Sequence, residues 1–249
     1  MNTKIFVVVG IGVMAGGLIL AAILQPQDTV TGDLPDRTPT VDDGANADEE
    51  PTPDPRQFEG AEEVIDPGLY DYSAVITTDK GVIEIDLFEE ISPRTVNNLV
   101  FLAQNGYYDN LRWHRVVEGF VVQAGDPLSE VGRDLVDPGL IGTGGPGYET
   151  EEEPNDISNT RGTIAMAKAG DAITFGSQFF INLTDNPELD AGAGSAEFFP
   201  FGEVISGMDV VDEIEEGDVI QSIEIREVEK DGATVDPSDD DADDADGAE

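Results

Sequence analysis

Residues 113–126 read Trp-His-Arg-Val-Val-Glu-Gly-Phe-Val-Val-Gln-Ala-Gly-Asp. The stretch holds two short β-rich runs, Arg112–Val117 and Phe120–Ala124, parted by a glycine. Similar runs follow at Gly162–Ala167, Gln178–Leu183, Phe201–Val204 and Ile220–Val228. Ahead of it, Tyr72–Thr77 is β-rich, Asp79-Lys80-Gly81 supplies a turn, and the next strand alternates. There Ile83, Ile85 and Leu87 take one face and Glu84 and Asp86 the other, the period of a half-buried strand. A helix with both ends marked comes next, with Ser92 as N-cap, Pro93 at its first position and Gly106 at its C-terminal cap. Val96, Leu99, Val100 and Ala103 form its inward stripe, and a second short helix is expected at Met208–Ile214. About eight strands and two helices without a βαβ rhythm predict an antiparallel sheet or closed barrel.

The chain of 249 residues carries 54 Asp or Glu against 12 Lys or Arg, a formal net charge of −42. So acidic a surface repels phosphate backbones and anionic lipid, which excludes a nucleic-acid binder and a basic peripheral membrane protein. The absence of cysteine excludes disulfides, thiolate metal sites and thiol nucleophiles, and a single histidine excludes a multi-His metal site. No cofactor and no metal are expected.

Four segments follow from composition. Residues 1–24 contain the 20-residue apolar run Ile5–Leu24, long enough to cross a hydrocarbon core of about 30 Å. It reads as an uncleaved membrane anchor, with a signal peptide as the alternative. Lys4 before the run and acidic sequence after it place the rest of the chain outside the cytoplasm. Residues 25–66 form an acidic, Pro-rich disordered linker, and 230–249 a second acidic disordered tail. Residues 67–229 are the size of one domain and hold 32 acidic and 8 basic residues, a net of −24. Self-repulsion on that scale predicts a salt-loving protein.

Motif by motif, familiar catalytic chemistry is missing. Gly142–Tyr148 lacks the Gly-Lys-Ser/Thr of a phosphate cradle and reads as a tight loop. His114 follows Trp113 in an apolar strand and reads as structural, and nothing places a base beside Ser177. More particular are Arg115, Phe120 and Gln123 within a few residues, and Gln178 and Phe180 within the run Gly162–Ile181.

Together these segments resemble the signature of the cyclophilin family of peptidyl-prolyl cis-trans isomerases. Residues 113–126 meet the pattern Phe-His-Arg-x-x-x-Gly-Phe-x-x-Gln-x-Gly-Asp, with Trp113 for Phe. Residues 166–181 meet Met-Ala-Asn-Ala-Gly…Gly-Ser-Gln-Phe-Phe-Ile, with Lys168 for Asn. Pro200–Val204 and Gly207–Val211 meet two further patterns, and the likeness runs from Tyr70 to Val228 in the family's order. It implies a mainly β fold, a closed eight-stranded antiparallel β-barrel capped by two helices, preceded here by one transmembrane helix.

The resemblance also implies a reaction that needs no nucleophile. Rotation about an Xaa-Pro bond meets a barrier of about 18–20 kcal/mol from partial double-bond character. A cation donating to the prolyl nitrogen favours the twisted state, and Arg115 matches the family's catalytic arginine. Phe120, Val121, Phe180 and Leu189 match the cup for the proline ring, and Phe198 stands at its rim where many members carry His. Gln123 matches the side chain that binds the substrate backbone, with Gln178 nearby. Ala167 and Lys168 match the backbone that pairs with an extended peptide. Glu188 replaces a common Trp, Val121 a common Met, and Pro127–Ile141 reads as an insertion. The expected protein is therefore a monomeric, membrane-anchored isomerase acting outside the cytoplasm on proline-containing polypeptides. The alternative is a cyclophilin-like module that binds such segments without turning them over.

Overall fold

The computed structural model describes residues 56–133, 137–169, 172–193 and 196–231. The apolar run Ile5–Leu24 and most of both acidic segments lie outside them, and among the described residues no helix is long and apolar enough to cross a membrane. Strands run at β1 (Tyr70–Thr78), β2 (Val82–Leu87), β3 (Leu111–Arg112), β4 (Arg115–Val117), β5 (Val121–Ala124) and β6 (Thr150–Glu151). They continue at β7 (Thr163–Met166), β8 (Thr174–Phe175), β9 (Phe179–Asn182), β10 (Pro200–Ser206) and β11 (Val219–Glu229). Two α-helices, α1 (Pro93–Gln104) and α2 (Met208–Asp212), accompany them.

Nine strands make one antiparallel sheet in the order β3-β11-β1-β2-β10-β7-β9-β5-β4, and β6 pairs with β8 in a separate ribbon. The expected barrel of eight strands thus becomes a curled nine-stranded sheet whose ladder stays open between β3 and β4. These two edges are consecutive in the chain, parted only by Trp113 and His114. Three residue steps reach no more than about 11 Å, so the sheet must curl until its edges nearly meet. The run expected as one strand, Arg112–Val117, is broken at this seam because Trp113 turns a fully buried ring into the core, edge-on to Phe179 at 5.8 Å.

The alternation expected in β2 is present: Ile83 and Ile85 are fully buried, Leu87 nearly so. The α1 stripe Val96, Leu99, Val100 and Ala103 is buried against the same core. Ser92 stands at the N-cap but donates and accepts no capping bond from its side chain. Glu153 caps the helix from far along the chain, accepting from the Thr95 N–H at 2.8 Å and the Arg94 N–H at 3.2 Å. A carboxylate there also suits the positive end of the helix dipole.

Residues 56–66, assigned by composition to the linker, pack on the domain. Phe58 meets Phe101 edge-on at 5.2 Å, Ile65 is buried, and Arg56 donates to the Tyr107 and Asp109 carbonyls and pairs with Glu130. Phe58, Ala61, Val64 and Ile65 all pack on the main core, apolar contacts that a composition average conceals.

Candidate active site

Cross-strand register assembles the site. Arg115 on β4 lies opposite Gln123 on β5, Gln123 opposite Phe180 on β9, and Phe180 opposite Ala165 on β7. Directly opposed residues share a face, so Arg115, Gln123, Phe180 and Ala165 form one row across four strands. Neighbours one residue away, Val122, Ile164, Phe179 and Ile181, face the main core instead. Val121, Ala165 and Phe180 then form a second, smaller apolar cluster, with Phe120, Ala167, Leu189 and Phe198 around it. The sheet therefore carries a cup on its outer face, with a cation at one end.

Arg115 is exposed, and its Nη1 donates to Gln123 Oε1 at 3.4 Å. Gln123 Nε2 donates to Gln178 Oε1 at 3.0 Å, and Gln178 Nε2 to the carbonyls of Gly142 and Gly144 at 3.1 and 2.9 Å. Each amide can use its oxygen only for the donor before it and its nitrogen for the acceptor beyond, so the relay fixes both amide orientations. The loop is pinned in turn by the fully buried Asp126 carboxylate, which accepts the backbone N–H groups of Leu128, Gly142 and Gly144. A side chain at Gly144 would overlap that carboxylate, so glycine is required for the approach. The segment that holds Gln178 thus comes directly after the inserted stretch Pro127–Ile141.

Lys and Arg elsewhere are mostly paired with carboxylates, as in Arg161–Asp212 at 2.7 Å and Arg226–Glu84 at 2.6 Å. Arg115 donates to a neutral amide instead, leaving its charge available to a ligand. His114 is largely buried, and burial pushes its pKa below the ordinary value, which favours the neutral imidazole. Ser177 is fully buried, donating to the Gly125 carbonyl at 2.7 Å and sharing a hydrogen bond with the Tyr107 hydroxyl at 2.8 Å.

Residues 73–231 match the sequence profile of the family described as cyclophilin type peptidyl-prolyl cis-trans isomerase/CLD. The chain belongs to the cyclophilin family. This cyclophilin is 41% identical over 154 residues to a peptidyl-prolyl cis-trans isomerase of Helicobacter pylori, covering 60% of this chain and 84% of that protein. It is 40% identical over 152 residues to one of Synechococcus elongatus, covering 61% and 94%. Among solved structures it is similar to a crystal structure of a cyclophilin type isomerase of Cryptosporidium parvum. There the TM-score is 0.52 and the identity 26%, covering 63% of this chain and 98% of that one.

All ten residues singled out from the sequence line or border this one face. Ala167 commits its N–H to the Gln178 carbonyl at 2.8 Å, so its carbonyl is what it can offer a peptide. Lys168 turns its side chain away to Glu152 and the rings of Phe198 and Phe199. Leu189 sits on a short 3-10 turn, Pro187–Leu189, where Glu188 is exposed at the rim. A cleft of about 330 Å³ adjoins the cup, lined by Gln123, Gly144, Glu149, Thr174 and Gln178.

Sequence reasoning missed the asparagines that hold the cup. Asn186 Nδ2 donates to the Phe120 carbonyl at 3.1 Å and to Asn182 Oδ1 at 2.7 Å, while Asn159 Nδ2 donates to the Phe198 carbonyl at 2.9 Å. All three asparagines are buried. Asp190 accepts from the Asn159 N–H at 2.6 Å; partial burial raises its pKa, but the bonds from Asn159 and Ser158 outweigh that and hold it below the ordinary value. The available signal was Asn182 and Asn186 flanking the β9 turn, amides four residues apart beside an apolar strand.

Proposed function

We propose that this cyclophilin catalyses rotation about Xaa-Pro bonds in exported or cell-surface proteins, using the outer face of β4, β5, β9 and β7. The row Arg115–Gln123–Phe180–Ala165 carries the reading, because it sets an exposed guanidinium at the edge of an apolar cup. The proline ring occupies the cup formed by Phe120, Val121, Phe180 and Leu189, with Phe198 at its rim. Gln123 holds the substrate backbone, and Arg115 donates to the prolyl nitrogen as it loses conjugation. Arginine suits the task because it stays charged and its donors are fixed in a plane. Nothing covalent is formed or broken, so neither a base nor a nucleophile is called for.

A protease-coupled assay on an Xaa-Pro peptide tests this. The wild type is expected to accelerate exchange and Arg115→Ala to abolish most of the effect; equal rates for the two would refute the catalytic role.

The outward location follows from the apolar run Ile5–Leu24 and the charge flanking it. Recovery of the full chain in a membrane fraction, with the domain open to added protease in intact cells, is the expected result. The net charge of −24 on residues 67–229 supports a salt-loving protein. Its melting temperature should rise between dilute buffer and molar salt, and a flat profile would contradict that.

A further inference from the structure

Two departures from the family pattern meet in space. Lys168 Nζ lies 5.5 Å from the centre of the Phe198 ring and 5.6 Å from that of Phe199. The same ammonium pairs with Glu152, and the two side chains are only 6% and 18% exposed. An ammonium so deeply covered requires a carboxylate beside it, and the ring faces add a second favourable contact. Glu152 is itself held in place, following β6 directly and donating its N–H to the Ile173 carbonyl at 3.0 Å. On its other side Phe198 meets Phe180 edge-on at 5.4 Å and 82°. A continuous set of contacts thus runs from Glu152 through Lys168 and Phe198 to the middle of the cup.

The Phe198 backbone is fixed without Lys168. Its N–H donates to the Leu189 carbonyl at 2.9 Å, and its carbonyl accepts from Asn159. What Lys168 can govern is the ring. We propose that Lys168, backed by Glu152, is a positioning residue that holds the Phe198 ring as a wall of the cup, so that positions 168 and 198 act as one unit in binding the substrate's proline. This rests on the reading of the outer face as a prolyl site.

The test is a double-mutant cycle in the full chain: wild type, Lys168→Asn, Phe198→His and the double variant, each read by KM, kcat and peptide affinity from an NMR titration with an Xaa-Pro peptide. Lys168→Asn is expected to raise KM and weaken affinity about five- to tenfold, with a much smaller change in kcat. In the Phe198→His background the same substitution should change either value by less than about twofold. Effects that multiply across the cycle, or a Lys168→Asn variant with wild-type KM, would overturn the proposal.

Since Lys168→Asn strands a largely buried carboxylate, Glu152→Gln with Lys168→Asn serves as the stability control. Its melting temperature should recover while KM stays raised; recovery of both together would mean a merely structural role. If the wild type proved inactive, the prolyl-isomerase reading would fail, and the affinities alone would still decide the coupling.

Discussion

Strands β2 and β9 belong to one sheet but differ in pattern. In β2 every second residue is buried and the others reach solvent, whereas all four residues of β9 are buried. The difference is what covers the outer face. Over β2 there is water; over β9 there is the cup, with Phe180 pointing outward into it and Phe179 and Ile181 pointing into the core. A strand with apolar side chains on both faces of an antiparallel sheet marks where the protein carries a second apolar surface.

The largest effect expected to separate the two faces is at Arg115. Its replacement by Ala should lower kcat/KM by about 10²- to 10³-fold, the usual loss for one transition-state donor, with little change in melting temperature. Next are the adjacent valines of β5, one on each face: Val121 in the cup cluster and Val122 in the core. Val122→Ala should lose about 2 kcal/mol of stability in urea unfolding and keep kcat/KM. Val121→Ala should lose less stability and change kcat/KM several-fold. Equal profiles for the two would erase the distinction between the faces.

The smallest expected effect concerns His114, the only histidine. Its folded pKa is lowered by burial, so the unfolded chain takes up a proton that the folded state resists. Stability from the neutral imidazole is complete above the unfolded pKa near 6.5 and declines as pH falls below it. His114→Gln should flatten that part of the stability–pH curve, measured against the wild type, while leaving the pH dependence of turnover between 6.5 and 8 unchanged.

Legibility in the sequence follows the same contrast. Elements with water on one side, such as β2 and α1, declared themselves through alternation or a 3.6-residue stripe. The candidate site was legible as a set of residue types, since Arg115, Gln123 and Phe180 recur in a known order, but their shared row depends on strand pairing between distant segments. Hidden for the same reason were Glu153 capping α1 across 58 residues and Glu152 reaching Lys168 across 16. A carboxylate in the run Glu149–Glu153 looks like one more acid on an acidic chain until the fold gives it a partner. The open seam at Trp113 was unreadable because nothing local distinguishes a strand from two strand edges joined by a buried ring.

The most direct measurement is exchange spectroscopy on an Xaa-Pro peptide added to the wild-type chain in substoichiometric and saturating amounts. The expected result is cis–trans exchange far faster than the tens to hundreds of seconds of the free peptide, lost in Arg115→Ala. Peptide that binds the cup yet exchanges at the free rate would contradict catalysis and leave a proline-binding module in its place.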